Sequence, residues 1–214
     1  YGALAAADVM DLKDLFYIIR KRGIFMQEAY PEGGAMTAVL GLESDRIEEI
    51  CRQTEGIVTI ANYNCPGQIV ITGEEQAVLA AAQACSEAGA KRCVPLKVSG
   101  PFHSALLKGA GEKLEKELIG VQLRKPAIPY ISNVDALDVV EAAPVKTLLK
   151  NQVSNSVCWQ QTIEKMIADG IDLFIEIGPG KTLSGFMKKI DKDVKCMNID
   201  KVADLDKVLE ELSC

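Results

Sequence analysis

Ala35-Met36-Thr37-Ala38-Val39-Leu40, Ile57-Val58-Thr59-Ile60-Ala61, Gln68-Ile69-Val70-Ile71-Thr72 and Arg92-Cys93-Val94-Pro95-Leu96-Lys97-Val98 are four short apolar runs bounded by turn residues. Their content of β-branched side chains is that of strands. Between the first and second, Ser44 can cap a helix reaching about Gln53, with Ile47, Ile50 and Cys51 on its inner side. Asn64-Cys65-Pro66-Gly67 turns the second run into the third. Glu74 to Ala88 is an alanine-rich helix that Gly89 ends. Pro95 has no amide proton for a ladder, so the fourth strand is expected at a sheet edge. The resulting order, β-α-β-β-α-β, is that of a split βαβ unit.

Outward from this unit the chain alternates between helix and strand. Tyr1 to Ala7 is rich in small helix formers. Asp11 resembles an N-cap, and Leu12, Leu15, Phe16 and Ile19 predict a second helix that Pro31-Glu32-Gly33-Gly34 stops. After the unit, helical spacing is read over Leu106 to Leu118, Pro144 to Val153 and Trp159 to Ala168, with a short strand at Tyr130-Ile131. Leu173-Phe174-Ile175-Glu176-Ile177 reads as a central strand of a parallel sheet, followed by a helix from Thr182, a strand over Lys195 to Ile199 and a helix over Val202 to Leu212. The fold class is therefore α/β, with residues 31–99 forming a ferredoxin-like subdomain inserted into a larger α/β domain made of residues 1–30 and 100–214.

Composition narrows the function classes. The 214 residues carry a net charge of −6, which argues against a nucleic-acid partner. Lys188, Lys189, Lys192 and Lys195 form only a local cluster, read as a solvated helix end. No run has the length of a membrane span, and no basic-then-apolar leader is visible. Seven cysteines without a Cys-x-x-Cys pair, beside one histidine, are read as reduced thiols of a cytoplasmic protein, not as a metal site. No cofactor is expected.

The one histidine, His103 in Val98-Ser99-Gly100-Pro101-Phe102-His103-Ser104, stands where the small unit returns the chain to the large one. Pockets favour such junctions, and histidine is the commonest acid–base residue. Ser99 and Ser104 lack the Gly-x-Ser-x-Gly elbow of an exposed nucleophile and read as loop-structural. Ile177-Gly178-Pro179-Gly180-Lys181-Thr182 fails the phosphate-loop spacing, because Ile175 stands where that loop's first glycine belongs. A strand-to-helix turn whose amides face a pocket remains open there. Of Arg20, Lys21 and Arg22, an arginine can grip a carboxylate by two parallel hydrogen bonds; a solvated helix face is the alternative.

Taken together, Arg22-Gly23-Ile24-Phe25-Met26-Gln27-Glu28-Ala29, Gly34-Ala35-Met36, Asn62-Tyr63-Asn64-Cys65-Pro66-Gly67-Gln68, the His103 segment and Glu176-Ile177-Gly178-Pro179-Gly180-Lys181 resemble malonyl-CoA:acyl carrier protein transacylases along nearly the whole chain. That resemblance implies a hydrolase-like parallel-sheet domain carrying the ferredoxin-like insertion. It also implies transfer of malonyl from malonyl-CoA, through an acyl-serine, to the phosphopantetheine thiol of acyl carrier protein in fatty acid synthesis. By the same resemblance His103 is the general base, the backbone carbonyl of Gln152 orients it in place of a triad Asp, and Arg22 pairs with the malonyl carboxylate. Met26 and Met36 match pocket-lining positions, for which core packing is an equal alternative. Phe102 matches the bulky residue that goes with malonyl rather than branched substrates.

Two departures stand beside the matches. The family's nucleophile segment, Gly-His-Ser-Leu-Gly-Glu, belongs immediately before the position matching Tyr1, and neither it nor the family's earlier Gly-Gln-Gly segment is in this sequence. The expectation is a C-terminal part of the enzyme, inactive alone; the alternative is a non-catalytic module that binds an acyl group or acyl carrier protein. Asp8 stands where the family often has glycine.

Overall fold

In a computed structural model that describes residues 1–98 and 100–212, the chain forms two compact units, residues 1–159 and 160–214. Ser99 and Cys214, weighed above as loop serine and thiol, lie outside the described residues.

The first unit begins with helices α1 (Gly2–Ala6) and α2 (Leu12–Ala29). The turn between them holds Asp8 at φ +51, a left-handed conformation that Asp tolerates better than most residues. Arg124 holds it there: Nε donates to the Asp8 carbonyl at 3.0 Å and Nη2 to its carboxylate at 2.7 Å, while Nη1 reaches Asp11 at 2.8 Å. That grip holds an aspartate in a backbone conformation that glycine adopts freely. On α2 the buried side chains are Leu15, Ile18 and Met26, whereas Leu12, Phe16 and Ile19 are exposed. The spacing of the apolar residues found the helix but does not show which face is inward, since α2 is apolar on two sides. Leu15, Ile18 and Met26 pack with Leu107, Leu114, Leu118, Val145 and Leu149 in one core.

Next come β1 (Gly34–Leu40), α3 (Ser44–Gln53), β2 (Val58–Cys65), β3 (Gln68–Glu74), α4 (Glu75–Glu87) and β4 (Arg92–Pro95). They make a four-stranded antiparallel sheet in the order β2-β3-β1-β4. Val39, Ile60, Ile69 and Ile71 of the sheet bury against Ile47, Ile50 and Cys51 of α3 and Ala77, Val78, Ala81 and Cys85 of α4. β4 is an edge strand and ends at Pro95, as a residue without an amide proton requires. β2 is the other edge, and Val157 extends it: the Val157 amide donates to the Ala61 carbonyl at 2.7 Å and the Tyr63 amide to the Val157 carbonyl at 3.0 Å.

Beyond β4 a single 3-10 turn, Ala105–Leu107, leads into α5 (Lys108–Leu118). The short antiparallel pair β5 (Tyr130–Ile131) and β6 (Asp138–Val139) precedes α6 (Val145–Gln152). Of these, β6 has no counterpart in the pattern read from sequence. α5 and α6 touch at Gly111, where an added Cβ would lie 2.8 Å from the Lys150 carbonyl oxygen.

The second unit holds α7 (Trp159–Ala168), β7 (Leu173–Ile177), α8 (Thr182–Ile190), β8 (Lys195–Ile199) and α9 (Val202–Leu212). β7 pairs in parallel with β8 and has no other strand neighbour among the described residues, so it is not seen as a central strand. The turn before α8 offers no open anion site. The Glu176 carboxylate already accepts the amides of Leu183 and Ser184, at 3.1 and 2.8 Å, and the Ser184 hydroxyl at 2.5 Å. Among the described residues no helix is long and apolar enough to cross a membrane.

Candidate active site

A cavity of about 450 Å³ opens in the first unit, lined by Arg22, Gly23, Met26 and Gln27 of α2, Met36 of β1, Asn62 of β2, and Phe102 and His103 of the loop after β4. Arg22 with Met26, and Gly23 with Gln27, are four residues apart and so share a helix face. The three basic residues of α2 separate cleanly. Arg20 is exposed, and Lys21 pairs with Glu117 of α5 at 3.1 Å. Only Arg22 enters the cavity, where its Nε is buried without a hydrogen-bond partner. Desolvation lowers its pKa, with the nearby Tyr1 phenol acting the other way; a guanidinium stays charged at neutral pH regardless.

The loop that carries His103 is packed by missing side chains elsewhere. A Cβ on Gly34 would lie 2.4 Å from Pro101 Cδ, so only glycine lets Pro101 sit against β1. Phe102 packs against Met36, Ala61 and Val70 on one side and the α2–α5–α6 core on the other. Ser104 is fully buried and its hydroxyl donates to the Pro101 carbonyl at 2.6 Å. This is the loop-structural role expected of it, and it ties up the hydroxyl.

His103 itself has φ +62. A left-handed backbone at a non-glycine residue costs roughly 1–2 kcal/mol and persists only where neighbours enforce it. Here Nδ1 lies 3.0 Å from the Gln152 carbonyl and 3.1 Å from the Asn155 carbonyl. Carbonyls only accept, so Nδ1 carries the proton and donates to both, which leaves Nε2 unprotonated in the neutral ring. Burial lowers the ring's pKa most, the Arg22 charge lowers it further, and the Asn155 and Gln152 carbonyls pull it back up in part. The net result is a ring held neutral near pH 7 and able to take a proton on Nε2. Gln152 is the last residue of α6, so its carbonyl belongs to the negative end of that helix and favours an imidazolium as it forms.

Of the residues singled out from sequence, His103, Arg22, Phe102, Met26 and Met36 line this one cavity, and Gln152 meets it through its carbonyl contact with His103. Met26 and Met36 are 7% exposed, so each serves both as core filler and as cavity wall. Gly23, Gln27 and Asn62 were not singled out although they stand within the matched segments. Asn155 had no signal at all, because what it contributes is a backbone oxygen. Among the described residues no group of three or more His, Cys, Asp or Glu is placed to hold a metal ion.

An apolar-walled cavity with one arginine and one neutral histidine suits an anionic acyl group and a proton transfer. Comparison with known proteins identifies the family. The family model described as "Acyl transferase domain" matches residues 2–204, and the chain belongs to that family. The malonyl CoA-acyl carrier protein transacylase of Bacillus subtilis (strain 168) is 45% identical over 203 residues, covering 93% of this chain and 64% of that protein. The crystal structure of MCAT from Streptococcus pneumoniae, 43% identical, superposes with a TM-score of 0.93 over 98% of this chain and 69% of its own. A malonyl-transacylase in complex with its type II PKS acyl-carrier protein, 40% identical, gives a TM-score of 0.95 over 98% of this chain and 69% of its own. The chain thus spans about two thirds of the length of the relatives it matches.

Proposed function

We propose that this chain carries the substrate cavity and general base of a malonyl-CoA:acyl carrier protein transacylase of cytoplasmic fatty acid synthesis. Its architecture is read as a hydrolase-like parallel-sheet domain with a ferredoxin-like insertion at residues 31–99; the β2-β3-β1-β4 order supports the insertion. The observation that carries the reading is the buried, unpartnered Nε of Arg22 in the same cavity as His103.

A malonyl carboxylate on Arg22 would satisfy that donor and place the thioester towards Nε2. The nucleophilic serine is proposed to lie outside these 214 residues, consistent with the tied hydroxyl of Ser104. Nε2 takes the serine proton as the oxygen attacks the thioester carbonyl, and returns it to the departing coenzyme A sulfur. In the second half the ring deprotonates the phosphopantetheine thiol, which attacks the acyl-serine, and the proton goes back to the serine oxygen. The Gln152 carbonyl keeps the ring in the required tautomer throughout. Met26, Met36 and Phe102 wall off the acyl group.

Calorimetry on the 214-residue chain tests the cavity. Malonyl-CoA is expected to bind at least about tenfold more tightly than acetyl-CoA, as charge-assisted hydrogen bonds dictate, and Arg22→Met should abolish the difference. Equal binding of the two thioesters refutes the assignment of Arg22. Covalent labelling of a serine within this chain by radioactive malonyl-CoA refutes an outside nucleophile.

A further inference from the structure

The two carbonyls that hold His103 differ in how they are themselves held. Gln152 is the last residue of α6 and inherits its direction from the helix. Asn155 lies three residues beyond, in the irregular turn where the chain leaves α6. The Ser154 and Asn155 amides donate back to the Asn151 carbonyl at 3.1 and 3.0 Å, which closes the turn but leaves the Asn155 carbonyl free to rotate with the peptide that follows. That peptide is planar and shared with Ser156, so whatever fixes Ser156 aims the Asn155 oxygen. The Ser156 hydroxyl donates to the Ile60 carbonyl of β2 at 2.6 Å. Immediately after it, Val157 makes its two backbone hydrogen bonds to Ala61 and Tyr63 of the same strand.

We infer that Ser156 is a positioning residue for the catalytic histidine: its hydroxyl anchors the turn after α6 to the edge strand β2 and so aims the Asn155 carbonyl at His103. This rests on the reading of His103 as the base. The anchor also falls beside a cavity residue on β2. Asn62, a cavity residue, lies between Ala61 and Tyr63, the two β2 residues that pair with Val157. The strand that lines the cavity through Asn62 is thus the strand to which the turn after α6 is anchored. An edge strand without such a stitch would leave its outer amides and carbonyls unpaired.

His103 is the only histidine in the chain, so nitrogen-15 histidine NMR reads it without assignment. In Ser156→Ala the ring is expected to lose one of two acceptors for Nδ1–H, and the population protonated on Nε2 should rise about fivefold, the worth of one hydrogen bond. Ser156→Thr, which keeps the hydroxyl, should restore the wild-type spectrum with an unchanged thermal midpoint. Ser156→Cys, close in size and a weak donor, should fall between and serves if the alanine variant folds poorly. A wild-type histidine spectrum in both the Ala and Cys variants overturns the inference, as does a change in Ala that Thr fails to reverse. Malonyl-CoA binding to the wild-type chain, measured alongside, reports on the function itself, so the two can fail separately.

Discussion

Gly111→Ala should disturb His103 from a position that touches neither the ring nor the cavity. In an exposed helix interior this change stabilises by up to about 1 kcal/mol, because alanine is the better helix former. At Gly111 the new Cβ would meet the Lys150 carbonyl oxygen at 2.8 Å, where ordinary contact begins at 3.4 Å. The intrusion of about 0.6 Å must be taken up by α5 or α6, and packed cores charge about 1–3 kcal/mol for such overpacking. Helix propensity offsets much of that, so the net loss of stability is small, about 0–2 kcal/mol. Lys150 stands two residues before Gln152 on α6. If half of the shift reaches Gln152, its 3.0 Å contact with His103 Nδ1 lengthens to about 3.3 Å; if all of it does, to about 3.6 Å, which is no longer a hydrogen bond. The consequence is a rise of up to about fivefold in the Nε2-protonated tautomer, read by nitrogen-15 NMR of the single histidine. Gly109→Ala is the control on the same helix, since its Cβ would meet nothing within 4 Å. It should leave the ring untouched. An unchanged histidine spectrum in Gly111→Ala, or an equal change in Gly109→Ala, refutes the argument that α6 carries the displacement to the ring.

Phe102→Ala should relax selectivity. The ring fills space between two apolar clusters beside the cavity, and removing it makes room for a methyl branch worth roughly 1–3 kcal/mol. Calorimetry should find the preference for malonyl-CoA over methylmalonyl-CoA reduced at least about tenfold; an unchanged ratio would place the selectivity elsewhere. The pH dependence of stability has a definite sign. Folding lowers the pKa of His103, so below its ordinary value of 6.5 the unfolded chain binds more protons than the folded one. The stability held by the neutral ring is full above that value and is lost as pH falls through it. His103→Asn keeps a donor for the two carbonyls and tolerates the left-handed backbone. Urea unfolding at pH 7.5 and 5.5 should show a smaller loss in the variant than in the wild type; an equal loss would mean the ring is not buried as a neutral base.

Much of this organisation was legible in the sequence because it rests on patterns that local physics enforces. Strands of alternating β-branched residues, an alanine-rich helix and glycine stops placed β1 to β4, α3 and α4 within a few residues, and Pro95 marked an edge. Where the pattern was two-sided it misled: α2 is apolar on two faces, and sequence spacing could not say that Leu15 and Ile18 rather than Leu12 and Phe16 go inward. Asp8 was opaque because its explanation, Arg124, stands far along the chain.

The groups that hold the His103 ring are hard to read from residue types for one physical reason. The partners that hold His103 neutral and correctly protonated are oxygens of the backbone, at Gln152 and Asn155, and a backbone carbonyl is present at every residue whatever its side chain. Only resemblance could point to Gln152, and nothing pointed to Asn155. A carboxylate in that place would bring its own charge and could swing on its side chain. A helix-terminal carbonyl brings a fixed dipole and a fixed direction, at the expense of requiring the backbone itself to be pinned. The close contact at Gly111, the left-handed backbone of His103 and the Ser156 hydroxyl on β2 are three such pins. The orientation and tautomer of His103 are therefore written in packing residues around it, which is why substitutions at Gly111 and Ser156 test them more sharply than changes at the carbonyl-bearing residues, whose side chains do not carry the contact.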